Sequence, residues 1–195
     1  MAKGPKYKLP FARRRNGKTD YKTRLALLKS RKQRLVVRAS NKSIIVQIIT
    51  YEVAGDKVLV SVSTKQIQKL GWKGNTRNLP IAYLAGFMCA KKAKKAKVTE
   101  AVLDIGFKQG IGGSILFAVL KGAIDGGMNI PHNESILPSE ERIRGEHISA
   151  YAAKLKKEDK AAYDKIFSGY LKQKLAPEDM TKHFNEIKKK IETEK

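Results

Sequence analysis

Arg13, Arg14 and Arg15 stand in a row, and Lys18, Lys22 and Arg24 follow at short intervals. A guanidinium is a planar fork that grips phosphate oxygens in pairs and stacks on nucleobases, so this run has the chemistry of a phosphate clamp. Tyr7, Phe11 and Tyr21 are interleaved with it, and rings set among cations suit unpaired RNA bases. A solvated basic tail or a localisation signal would share the composition.

The other groups that could do chemistry are poorly arranged for catalysis. The stretch Gly106-Phe107-Lys108-Gln109-Gly110-Ile111-Gly112-Gly113-Ser114 lacks the Gly-Lys-Ser/Thr ending of a phosphate-binding loop and breaks the dinucleotide fingerprint at its third glycine. What survives is either a tight strand-to-helix turn or a helix start able to touch a phosphate. His132, His147 and His183 share no ligand spacing and are expected as surface or capping residues. Cys89 is expected as a small core residue of an apolar helix, and a lone cysteine excludes a disulfide framework or a multi-cysteine metal site. Asp104 and Asp125 could suggest a nuclease, but two-metal chemistry needs several converging carboxylates. Residues 43–138 hold six acids, most of them placed by the pattern in turns or on outer faces. No catalytic residue, metal, cofactor or small-molecule substrate is expected.

The elements that would carry the clamp are set by charge and periodicity. Lys and Arg number 41 against 18 Asp and Glu, a formal +23, which calls for a polyanion such as nucleic acid, an anionic membrane surface or an acidic protein. Residues 1–42 hold 15 of the cations and one acid, Asp20, so a basic arm precedes a more ordinary body. The Lys-rich start has no apolar stretch behind it and is not a secretory signal; no run is long and apolar enough for a membrane span. We divide the chain into an arm over 1–33, an α/β core over 34–138 and a helical C-terminal extension over 139–195.

Within the core, Leu35-Val36-Val37, Ser43–Ile49 and Val58–Ser63 predict an antiparallel meander, with the second strand apolar on both faces. A short helix from Thr64 to Leu70 stops at Gly71, and a longer one starts near Thr76 or Asn78 with Pro80 in its first turn. That helix runs into Lys91-Lys92-Ala93-Lys94-Lys95-Ala96-Lys97, which reads as complementing the helix dipole or as a second phosphate patch. Glu100–Ile105 predicts a strand and Ser114–Met128 a helix, with Lys121 and Asp125 paired at i,i+4. After the loop to Pro138, apolar stripes at Ile148/Tyr151/Ala152/Leu155, Tyr163/Ile166/Phe167/Tyr170 and Met180/Phe184/Ile187/Ile191 predict helices. Strands followed by alternating helices imply an α/β or α+β sandwich with a small mixed sheet.

Several of these stretches together resemble a known family. Arg13-Arg14-Arg15-Asn16-Gly17-Lys18-Thr19-Asp20-Tyr21, Arg34-Leu35-Val36-Val37-Arg38-Ala39-Ser40-Asn41-Lys42, Pro80-Ile81-Ala82-Tyr83-Leu84, Lys121-Gly122-Ala123-Ile124-Asp125 and Ile130-Pro131-His132 occur in the order found in the L-eighteen family of large-subunit ribosomal proteins. The long basic start and helical C-terminus are similar to its archaeal and eukaryotic branch. The resemblance implies a three-layer α/β fold of ribonuclease-H-like topology and a cytoplasmic, ribosomal location. It also implies a structural role that attaches 5S rRNA to the central protuberance, with large-subunit (23S-type) rRNA and neighbouring ribosomal proteins as partners. It places on RNA the arm residues Arg13, Arg14, Arg15, Lys18, Tyr21, Lys22 and Arg24, then Arg31, Lys32, Arg34 and Arg38, the turn Ser40, Asn41 and Lys42, and the loop Lys73, Gly74, Asn75 and Thr76. Where many relatives have an Arg after Gly113-Ser114, this chain has Ile115. The arm is expected to order on contact with RNA. Rival readings are an RNA-processing enzyme of the ribonuclease-H-like group and a basic membrane-surface protein.

Overall fold

The computed structural model describes residues 4–193; residues 1–3 of the expected arm and 194–195 of the expected extension lie outside the described residues. Two helices, α1 (Ala12–Arg15) and α2 (Tyr21–Lys29), precede β1 (Arg34–Ala39), β2 (Ile44–Glu52) and β3 (Gly55–Ser63). Then come α3 (Thr64–Lys69), α4 (Leu79–Lys95), β4 (Val102–Asp104) and α5 (Ile115–Asp125). The C-terminal part holds α6 (Glu140–Arg144), α7 (Glu146–Glu158), α8 (Lys160–Ile166), α9 (Ser168–Lys172) and α10 (Met180–Thr193).

The sheet order is β3-β2-β1-β4, with β1, β2 and β3 an antiparallel meander and β4 parallel to β1. This is the small mixed sheet expected from the sequence. Alternation along β1 sends Leu35 and Val37 into the core and leaves Arg34 and Arg38 on the opposite face. The inner face of Leu35, Val37, Ile44, Val46, Ile48, Val60 and Val62 packs into the core with α4 and α5; α1 and α2 lie over the other face. The sheet is therefore the middle of three layers. β2 is less two-sided than its composition suggested, since Ile45 on the polar face is 39% exposed.

Asn78 caps α4 by accepting from the Ile81 N–H, with Pro80 in the first turn as predicted. α4 and α5 cross with almost no side chain between them. A Cβ added to Gly86 would run into the Val119 carbonyl, and one on Gly122 into the Tyr83 carbonyl. α5 stops at Asp125, short of Met128, because Gly126 and Gly127 turn the chain, the latter at φ +93°. β4 is shorter than its apolar run, and pairing is limited to Val102–Asp104. Lys121 and Asp125 pair at 3.1 Å as expected.

Met180, Phe184, Ile187 and Ile191 of α10 are all buried in the same core as the sheet. A smaller cluster of Ala152, Tyr163 and Phe167 joins α7 and α8. Tyr151 and Ile166, placed on those stripes by spacing, face solvent instead.

Candidate nucleic-acid interface

The arm is a folded, partly anchored structure. α1 presents Arg13, Arg14 and Arg15, all exposed. Gly17 at φ +62° turns the chain back, so that Arg13 Nε reaches Thr19 Oγ1 at 2.9 Å. Asp20 caps α2 by accepting from the Lys22 and Thr23 N–H groups. The Thr23 hydroxyl, together with these N–H groups, holds its carboxyl below the usual range. Phe11 and Tyr21 pack ring to ring at 5.1 Å. Residues 21–29 therefore form a capped helix within the arm.

Arg24 does not point outward. It forks onto Asp56 through two bonds of 2.8 Å, and this is the first link of a chain of charges across the polar face of the sheet. Arg34 joins Asp56 at 2.7 Å to Asp104 at 2.8 Å. Arg38 holds the other Asp104 oxygen at 2.8 Å and the Asp104 carbonyl at 2.8 Å. Burial alone would raise the Asp104 pKa, but Arg38, Arg34 and the Gly106 N–H together bring it below the ordinary value. The Arg24 fork, then Arg34, does the same for Asp56.

This network corrects one assignment and qualifies others. Arg34, expected on RNA, is 2% exposed and has both terminal nitrogens on carboxylates, because strand alternation turns it toward Asp56 and Asp104. It is an internal tie. Arg24 and Arg38 are partly committed in the same way, and Lys32 pairs with Glu100 at 2.6 Å on the surface. Among the described residues, Arg13, Arg14, Arg15, Lys18, Lys22, Arg31, Lys42 and Lys73 have no carboxylate partner.

The turn and the loop, more than thirty residues apart in sequence, are brought together. Ser40 is spent on the turn itself, its Oγ donating to the Ser43 carbonyl at 2.9 Å, which leaves Asn41 and Lys42 exposed at the tip. Thr76 Oγ1 donates to the Lys42 carbonyl at 2.6 Å. Gly74 is buried, not outward as expected: it lies against the Trp72 indole, and a Cβ there would meet Cζ2 at 2.8 Å. Trp72 Nε1 donates to the Asn75 carbonyl at 3.1 Å. A polar cleft of about 310 Å³ is lined by Asn41, Lys42, Asn75 and Thr76 with Tyr170 and Gln173 from the C-terminal helices. Along the polar face of β1, Arg13 and Lys18 line a cavity together with Arg34 and Arg38, and Arg38 stands two residues before Ser40. The chain from Arg38 to Lys42 and the Thr76 hydrogen bond therefore link the arm's cavity to the loop.

Sequence reasoning missed the parts that aim this surface. Asp56 and Asp104 orient the arginines, and only their register on the sheet reveals it. His183, expected as a surface or capping residue, is 8% exposed; it stacks on Trp72 at 5.1 Å and its Nε2 accepts from the Lys73 N–H at 3.0 Å. Burial holds its pKa below the ordinary value, against the pull of Glu186, so it is the neutral acceptor that the loop needs. Because the folded value lies below the unfolded one, the unfolded state takes the proton first. The contribution is complete above pH about 6.5 and is lost as pH falls through the folded value. Trp72 is the chain's single tryptophan, so its emission should change as pH is lowered from about 8 to about 5. His183→Gln should flatten that titration; an unaltered curve in this variant would refute the assignment.

Of the remaining candidates, Cys89 is fully buried and its thiol is pushed up to about 12 by desolvation, which makes it a core residue. Tyr83 donates to Asp125 at 2.8 Å, so that carboxylate is engaged as well. Among the described residues no group of three metal-ligating side chains occurs. In the lysine run, Lys91 lies over the Phe87 ring and Lys92 Nζ reaches Gln66 Oε1 at 3.2 Å.

A family model described as "Ribosomal large subunit proteins 60S L5, and 50S L18" matches residues 5–100 and 92–133. The chain is also 53% identical over 194 residues, with 100% of both chains covered, to "Large ribosomal subunit protein uL18" of Methanothermobacter thermautotrophicus.

Proposed function

Since the chain belongs to this family of ribosomal large-subunit proteins, we propose that it binds 5S rRNA and attaches it to the central protuberance. In doing so it also touches 23S-type rRNA and neighbouring ribosomal proteins in the cytoplasmic ribosome. The role is structural and the family is not one of enzymes. The observation that carries the reading is continuity. Arg13 and Lys18 border Arg38, β1 leads from Arg38 to Asn41 and Lys42, and Thr76 docks the second loop on the Lys42 carbonyl. Such a surface suits recognition of RNA by shape, phosphates and 2′-hydroxyls with a few stacked bases.

Affinity comes from releasing counterions. With about eight cations on phosphates, log affinity should fall with log salt at a slope near −6 to −7. Removing residues 1–24 deletes five of the unpaired cations named above, so the slope should drop by roughly 4 to 5. A gel-shift with 5S rRNA against tRNA competitor checks both points. Equal affinity for the two RNAs reduces the protein to a general RNA binder, and an unchanged slope after truncation means the main contact lies elsewhere.

The nuclease alternative is disfavoured by Asp104, whose oxygens are taken by Arg34, Arg38 and the Gly106 N–H. Among the described residues no helix is long and apolar enough to cross a membrane. Binding to anionic vesicles that RNA cannot displace would favour the membrane-surface reading.

A further inference from the structure

We propose that the groove beside the Gly-rich connection takes an unpaired nucleotide of ribosomal RNA, with its base on Phe107 and its phosphates on Arg77, Lys108 and Arg142. The inference rests on the RNA-binding reading above and extends it to residues with no assigned role. The groove, of about 710 Å³, lies between the end of β1, the start of α4 and the 107–116 segment. Its floor is apolar, from Ala39, Leu79 and Leu116. Phe107 and Ile111 stand at its edge 52% and 63% exposed.

Two observations select a nucleotide as the occupant. The first is charge: the lining holds three cations and no acid, and among the described residues none of the three has a carboxylate partner. The second is continuity, since Ala39 lines the groove and immediately precedes the Ser40–Lys42 turn of the proposed RNA surface. The Gly106 backbone also lies against the Arg38 guanidinium. An exposed ring with a cationic rim is the arrangement that holds a splayed-out base. The glycines fit this role better than a nucleotide-binding fingerprint: Gly106 at φ +64° and Gly113 at φ +69° bend the connection so that Phe107 and Ile111 project from it.

The test uses large subunits assembled with the full chain carrying the photoreactive residue p-benzoylphenylalanine in place of Phe107 or, separately, Ile111. Irradiation should give adducts that ribonuclease removes. Adducts to protein alone would assign the groove to an acidic peptide and overturn the proposal, as would particles that contain the variant but yield no RNA adduct. In binding to transcripts of 5S and 23S-type rRNA, Phe107→Ala should lose about tenfold on whichever RNA fills the groove, Phe107→Trp should retain affinity, and the salt slope should not move. Equal affinities for Phe107→Ala and the unaltered chain on both RNAs would overturn it. A loss confined to 23S-type rRNA, in a protein with no preference for 5S rRNA over tRNA, would sustain the groove while refuting the 5S assignment.

Discussion

Arg34→Met should destabilise the protein by about 3–5 kcal/mol, because it strands buried carboxylate charge with one partner removed. The guanidinium bridges Asp56 and Asp104 from within the sheet face, so methionine leaves Asp104 almost out of water with Arg38 as its one charged partner beside the Gly106 N–H. Lys32→Ala, which breaks an exposed pair with Glu100, should cost less than about 1 kcal/mol. Denaturant unfolding compares the two. Acid gives an independent check of cause. Asp56 and Asp104 both titrate below their ordinary range in the folded chain, so their stabilisation is complete above pH about 4 and declines as pH falls through the folded values. The gap between Arg34→Met and the unaltered chain should therefore narrow in acid. A constant gap would mean that packing, not charge, sets the cost. The salt slope of RNA binding should stay unchanged in Arg34→Met, since that side chain reaches no phosphate.

Gly86→Ala should be nearly as damaging. The added methyl meets the Val119 carbonyl, which is backbone and cannot rotate aside, so α4 and α5 must separate along their whole contact. A cost of about 3 kcal/mol is expected, and a melting temperature lower by roughly 10 °C for a domain of this size. Gly122→Ala strikes the same contact from the other helix, at the Tyr83 carbonyl. One separation relieves both clashes, so the double variant should cost clearly less than the sum. Gly169→Ala in α9 is the control: nothing lies within 4 Å of its added Cβ, and it should be neutral or slightly stabilising. Additive losses in the double variant would mean the two clashes relax independently.

Local rules carried far in this chain. The meander, the Asn78 start of α4 and the 4, 3, 4 spacing on α10 were all readable because each depends on neighbours within a few residues. The resemblance placed cations on RNA but could not separate Arg34 from Arg38: four apart on one strand face, they differ only in how far across the sheet Asp56 and Asp104 lie. That depends on contacts 22 residues apart for Asp56 and 66 or 70 apart for Asp104. Gly74 and His183 are more buried than their local sequence suggests, because the Trp72 indole folds over Gly74 and α10 returns His183 to the Trp72 loop. The cleft at Asn41 and Asn75 likewise needs Tyr170 and Gln173, which no local pattern ties to it.

The place of α10 has a consequence for biosynthesis. Elongation delivers the basic leader first and the helix bearing Phe184, Ile187 and Ile191 nearly last. At ordinary translation speeds the stretch between α4 and Ile191 takes about 5–20 s to make. Throughout that interval the nascent chain carries an adhesive leader beside an oily flank that nothing yet covers. Newly made molecules thus pass through a vulnerable adolescence in which premature sticking competes with maturation, and the imidazole that steadies the Trp72 loop arrives only as that window closes.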